Sequence, residues 1–243
     1  MDILIFSGQS NMEGQTGAPD PGSLQPGLFE YHLLTDSLVP LQNPTGEDIG
    51  ELLEAADQGH GSLIPYLCGR YRELTGREPL AVHTAKGATR IDQWLPGTPL
   101  YDKMIEKIRG AMKHAENIER VYFFWLQGES DALAETPPEL YRERMIELKN
   151  ALKKDVGIQR FAIIEVGWFA YIYNPGSTYD RFIMDVQEEL PRIDPDFTLV
   201  TDICLTLSRD TRYLNPHAAG HFNNEAMRLI GTAAAEGLVK SEK

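Results

Sequence analysis

Five apolar runs of strand length, Ile3–Phe6, Leu80–Thr84, Val121–Leu126, Phe161–Val166 and Phe197–Thr201, constrain this chain more than anything else in it. They show little polar alternation, which suits strands covered on both faces. Between them lie helical patterns over Leu63–Leu74, Leu100–Ala115, Pro138–Lys153, Tyr179–Leu190 and Asn224–Val239. Strict alternation of strand and helix calls for right-handed crossovers, and so for a three-layer α/β/α sandwich around a central, mostly parallel five-stranded sheet. The chain of 243 residues carries no repeat and no composition shift that would mark a linker, so one domain over residues 1–243 is expected. Two stretches break the pattern: a long loop insertion at about 15–61, rich in Gly, Pro, Asn and Asp, and the aromatic segment Gly167–Thr178. Long connections in an α/β domain usually cover or build a site.

Charge and cysteine usage narrow the function. The net charge is −13, and no basic stripe with interleaved aromatics occurs, which argues against nucleic acid and anionic membranes as partners. Cys68 and Cys204 both sit in apolar stretches and lack the spacing of a metal or redox motif, so two buried reduced thiols are expected, with no metal and no cofactor. The start Met-Asp-Ile-Leu-Ile-Phe has no basic residue and turns polar at Ser7, too early for a signal sequence or a membrane span, and a cytoplasmic location is the expectation. Neither phosphate-binding glycine pattern, G-x-G-x-x-G or G-x-x-x-x-G-K-S/T, is present. Nothing in the sequence argues against a homo-oligomer.

In parallel sheets, ligands sit beyond the carboxyl ends of the strands. Three small, polar, glycine-containing segments follow the first three runs there: Ser7-Gly8-Gln9-Ser10-Asn11-Met12, Ala85-Lys86-Gly87-Ala88-Thr89 and Gln127-Gly128-Glu129-Ser130-Asp131. Ser10 occupies a strand-to-helix turn where a nucleophile belongs, although Met12 replaces the second glycine of a G-x-S-x-G elbow, and a serine that merely satisfies turn amides is the plainer alternative. A serine nucleophile needs a base, and the developing oxyanion needs donors. The Gly87 amide and the Gln127 side chain could supply donors, with an ordinary turn glycine and a strand-end amide capping backbone groups as the alternatives. Among six histidines, His114 suits a helix C-terminus and His83 lies in a strand, while His32 and His60 fall in the insertion. His217 and His221 precede the last helix, from where a loop can reach Ser10.

Gly8-Gln9-Ser10-Asn11-Met12, Gly87-Ala88-Thr89 followed by Ile91 and Trp94, Trp125-Leu126-Gln127-Gly128-Glu129-Ser130-Asp131, and His221-Phe222-Asn223 leading to Gly231 resemble the SGNH hydrolases. More narrowly they look like the sialate O-acetylesterase and acetylxylan esterase branch, in that family's order and spacing. The resemblance implies a flavodoxin-like fold and metal-free serine ester hydrolysis of acetylated sugars, and the net charge of −13 favours neutral acetylated xylo- or manno-oligosaccharides over sialate-like sugars. It makes Ser10 the nucleophile, His221 the base, and Gly87 and Gln127 the oxyanion donors, with Gln9, Asn11 and Trp94 in substrate binding. This sequence departs from the family pattern twice. Ala88 stands where a second glycine is common, and Ala218 where an aspartate would orient the histidine. Glu129 is the expected replacement acid, with a structural carboxylate that holds the loop as the alternative and with Asp131, Asp202 and Glu165 in reserve, and Trp94, Trp168, Tyr171 and Tyr173 are candidate sugar-stacking rings. The rival readings are a catalytically weakened carbohydrate-binding protein of the same fold, and a lipase or thioesterase of the wider superfamily.

Overall fold

The computed structural model describes residues 1–56 and 60–243. Part of the long insertion, residues 57–59, therefore lies outside the described residues. Among the described residues there are seven strands: β1 (Asp2–Gly8), β2 (Phe29–His32), β3 (Ser37–Pro40), β4 (Pro79–His83), β5 (Arg120–Leu126), β6 (Arg160–Ile164) and β7 (Phe197–Thr201). The helices are α1 (Ser10–Glu13), α2 (Ile64–Thr75), α3 (Pro99–His114), α4 (Glu129–Leu133), α5 (Pro138–Val156), α6 (Ala170–Tyr173), α7 (Tyr179–Ile193), α8 (Cys204–Leu207) and α9 (Asn224–Ser241). The sheet order is β3-β2-β4-β1-β5-β6-β7, parallel except for β3.

All seven residues of β1 and all five of β4 are buried, as unalternated apolar runs require. Helices α2 and α9 pack together on one face of the sheet, while α3, α5 and α7 form a contiguous layer on the other. Gly231 lets α9 lie close to α2, because a Cβ there would stand 2.5 Å from the Leu63 carbonyl oxygen. Both cysteines are buried and free. No helix among the described residues is long and apolar enough to cross a membrane.

The five expected strands are all present, and the expected sheet of five is corrected to seven. The additional pair, β2 and β3, comes from the insertion. Each is only four residues long, β3 ends in Pro40 at the sheet edge, and Phe29 is exposed. Short, partly exposed edge strands carry no sustained apolar run, so periodicity does not find them.

β1 pairs with β4 on one side and β5 on the other, with Phe6 opposite both His83 and Phe124. From β1 the chain first forms β2 and β3, returns to insert β4 between β2 and β1, and then crosses to the other side of β1 for β5, β6 and β7. The sheet therefore reverses its winding at β1, and a crevice opens beyond that strand's carboxyl end.

Candidate active site

Gly8 ends β1 with φ +143°, and a Cβ there would lie 2.1 Å from the Leu126 carbonyl oxygen. Only glycine permits this approach. It brings the ends of three strands together: Gln9 N–H donates to Leu126 O at 3.1 Å, and Lys86 N–H donates to Gly8 O at 3.1 Å. Ser10 thus heads α1, where the first backbone N–H groups have no acceptor within the helix.

Ser10 Oγ and His221 Nε2 are 2.8 Å apart, although 211 positions separate them in sequence. On the other side of the ring, Nδ1 lies 3.0 Å from the Ala219 carbonyl oxygen. A protonated Nδ1 donating to that carbonyl leaves the Nε2 lone pair facing the serine hydroxyl, the arrangement a general base needs. Phe169 packs edge-on to the imidazole with ring centroids 5.5 Å apart. His217 is exposed, and its backbone N–H is bound by Asn215.

A cavity of about 470 Å³ opens over Ser10 and His221. Gln9 borders it. A backbone N–H can only donate, so the 3.0 Å contact from Ser130 N–H identifies the engaged end of the Gln9 amide as Oε1. Nε2 is the end left for the cavity.

The structure corrects four placements. Gln127 is fully buried, and its Nε2 donates to Asp131 Oδ2 at 2.6 Å and to Thr89 O at 2.9 Å. Both of its protons are thereby committed beneath the cavity and away from an oxyanion. The Gly87 N–H donates to Glu54 Oε2 at 3.2 Å, so a substrate oxygen reaches it only by displacing that carboxylate. Trp94 is fully buried, donates to Thr89 Oγ1 and packs edge-on against Trp125. Asn11 is 2% exposed and faces the chain interior, not the cavity.

For Glu129 the structure corrects the acid role and favours the alternative, a carboxylate that holds the loop. Its Oε1 accepts from Asn11 Nδ2 at 2.9 Å, while Oε2 is buried without a hydrogen-bond partner. Asn11 in turn grips the backbone on both sides of His221, accepting from Phe222 N–H at 3.2 Å and donating to Gly220 O at 3.4 Å. Glu129 and Asn11 therefore act on the loop that carries the histidine. Of the reserve acids, Asp131 is consumed by Gln127, Ile91 N–H and Thr136, Asp202 is exposed, and Glu165 is buried with both oxygens unpartnered. Asn11→Ala should lower kcat by about 100-fold with little change in KM, since small misplacements of a catalytic group cost that much. Steady-state kinetics checks this, and an unchanged kcat would make the latch irrelevant to catalysis.

Among the proposed stacking rings, Tyr173 borders the cavity together with Phe169, whereas Trp168 and Tyr171 line a separate surface hollow. Ala88 adopts φ +56°, the left-handed region that glycine occupies without strain. The cavity residues missed by sequence reasoning are Gln15, Glu54, Lys86, Ser130, Leu133 and Phe169. Glu54 and Gln15 lie in the insertion, where no strand or helix pattern assigns them a direction.

Burial pushes the carboxyl groups of Glu13 and Glu165 up to about 8 and that of Glu129 up to about 7. Such groups keep protons in the folded state that the unfolded chain has released, so stability falls as pH rises from the ordinary carboxylate range to about 8. Burial lowers His83 to about 4, which has the opposite effect but only below the ordinary histidine value of about 6.5. Between about pH 6.5 and 8 the carboxyl groups act unopposed by His83, and Tm should fall by a few degrees. Thermal melts across that window test it. Glu129→Gln and Glu165→Gln should each flatten the dependence, and a flat wild-type profile would contradict it.

The sequence profile of the family described as carbohydrate esterase, sialic acid-specific acetylesterase matches residues 1–240. A probable carbohydrate esterase of Arabidopsis thaliana is 34% identical over 187 residues, covering 68% of this chain and 67% of its own length. The crystal structure of that Arabidopsis protein superposes with a TM-score of 0.72 at 18% identity, covering 98% of both chains. That of NanS gives 0.73 at 13% identity, covering 98% of this chain and 96% of the other. At these identities the structural likeness establishes the fold.

Proposed function

The chain belongs to the sialic acid-specific acetylesterase family of carbohydrate esterases, and from that premise we propose that it removes O-acetyl groups from carbohydrates through an acetyl-serine intermediate on Ser10. The family makes it a carboxylic ester hydrolase. The single observation that carries the mechanistic reading is the 2.8 Å contact between Ser10 Oγ and His221 Nε2 inside a cavity large enough for an acetylated sugar unit.

In this mechanism Ser10 Oγ attacks the acetyl carbonyl carbon while His221 Nε2 takes the hydroxyl proton. The oxyanion faces the Ser10 N–H and Gln9 Nε2, both fixed before substrate arrives. Collapse of the tetrahedral intermediate breaks the bond to the sugar oxygen, which leaves with the proton held by His221. A water then attacks the acetyl-serine, giving its proton to His221, and a second collapse frees acetate and restores Ser10. The Ala219 carbonyl 3.0 Å from Nδ1 keeps the imidazole in the tautomer this cycle uses.

Release of acetate from acetylated xylo-oligosaccharides and from 4-nitrophenyl acetate tests the reading, and a folded protein active on neither would overturn it. The donor assignment has its own test. Gln9→Ala should lower kcat by about 10²–10³, the usual cost of losing one oxyanion donor. Loss of activity in Gln127→Ala should instead follow loss of stability, because that change leaves the buried Asp131 carboxylate without its closest donor. A Gln9→Ala enzyme with normal kcat would exclude the side chain from the oxyanion site.

A further inference from the structure

The cavity has two unlike walls. Ser10 and His221 carry the chemistry on one side, and on the other an acid–base cluster surrounds Gly87. Glu54 pairs with Lys86 through one carboxylate oxygen and accepts the Gly87 N–H through the other at 3.2 Å. Its own backbone N–H donates to Ala85 O at 3.1 Å, which pins this stretch of the insertion to the segment following β4. Behind it lies Glu13, 2% exposed, whose Oε2 is buried without a hydrogen-bond partner. A Cβ on Gly87 would stand 2.9 Å from Glu13 Oε2 and 3.5 Å from Glu54 Oε2, so the two carboxyl groups meet at this glycine.

Nothing in the acyl-transfer steps uses this cluster, yet it borders the space beside the ester. We propose that Glu54 is the specificity-determining residue of the cavity: its carboxylate accepts hydrogen bonds from sugar hydroxyls flanking the acetylated carbon, and the substrates are neutral acetylated saccharides. The inference rests on the acetylesterase reading and deepens it. A carboxylate accepts strongly and donates nothing, so it suits vicinal hydroxyls. Lys86 and Gly87 hold it in one position, and Gln15 Nε2 donates to Glu13 Oε1 at 3.2 Å in support. Burial raises Glu13 to about 8, while contacts that include Lys86 hold Glu54 below the usual carboxylate range, so near neutrality one proton resides on Glu13 and the charge on Glu54. Lys86, the cation bordering the cavity, is thereby already matched by the chain's own carboxylate. A substrate carboxylate close to the ester meets a like charge and, among the described residues lining the cavity, no lysine or arginine without a carboxylate partner, an arrangement that binding sites use to turn partners away.

The test compares kcat/KM on acetylated xylo-oligosaccharides, on an O-acetylated sialic acid and on 4-nitrophenyl acetate, which carries no sugar. In Glu54→Gln and Glu54→Ala the ratio of neutral sugar ester to aryl ester should fall about 10- to 100-fold, the worth of hydrogen bonds to a charged acceptor. The preference for the neutral sugar over the sialic acid should shrink in the same variants. Sugar-to-aryl and neutral-to-sialate ratios left at wild-type values in both folded variants would overturn the proposal, as would wild-type preference for the sialic acid ester. Failure of the underlying reading looks different: the Ser10→Ala protein would still hydrolyse 4-nitrophenyl acetate.

Discussion

Ser10→Ala is expected to lower kcat on acetyl esters by about 10⁴–10⁶-fold while the protein stays folded. The magnitude is that of removing the nucleophile from a cooperating serine–histidine unit, where the residual rate comes from binding and the oxyanion donors. The fold should survive because the deleted atom's hydrogen bond goes to His221 at the cavity, and the hydroxyl supports no packing in the sheet. Acetate release and a thermal melt on the same preparation decide the matter. A folded Ser10→Ala enzyme with more than about a hundredth of wild-type kcat would end the serine mechanism.

His221→Ala should be as damaging as Ser10→Ala, and the double variant no worse than either, because members of one catalytic unit do not contribute additively. The imidazole is half-buried and packs edge-on against Phe169, so alanine also opens space there. His221→Gln therefore serves as a second variant that keeps bulk and removes the base. Both should lose about 10⁴-fold or more in kcat. His217→Ala, altering an exposed side chain outside the cavity lining, should retain activity. A dead His217→Ala beside an active His221→Ala would mean that the loop entering α9 presents a different histidine in solution.

The weakened-enzyme alternative turns on Ala218, which occupies the position expected to supply an orienting acid. In the structure a backbone carbonyl stands 3.0 Å from Nδ1 of His221. A carbonyl can hold the tautomer, but it offers an imidazolium only a dipole where a carboxylate offers a full opposite charge. The Glu129–Asn11 latch places the ring by gripping its backbone.

Apolar patterning is a local property, and it was enough to determine five of the strands, the helices between them and the convergence of three polar loops at the end of β1. The resemblance of its short motifs to a known family singles out Ser10 and His221 as partners in one site. Sequence could not decide what each polar side chain bonds to. Asn11 and Glu129 lie 118 positions apart, as do Gln9 and Gln127, and whether an amide faces substrate or a buried carboxylate depends on which distant segment packs beside it. Gln127 therefore reads as an oxyanion donor until Asp131 and Thr89 are seen to hold both of its protons, and Gln9 reads as a plain contact residue until Ser130 shows which end of its amide is engaged. The edge strands β2 and β3 and the carboxylate of Glu54 come from the one long segment without periodicity. Their positions follow from pairing with β4 and from the contacts of Glu54 with Lys86 and Gly87, which form only when the sheet assembles.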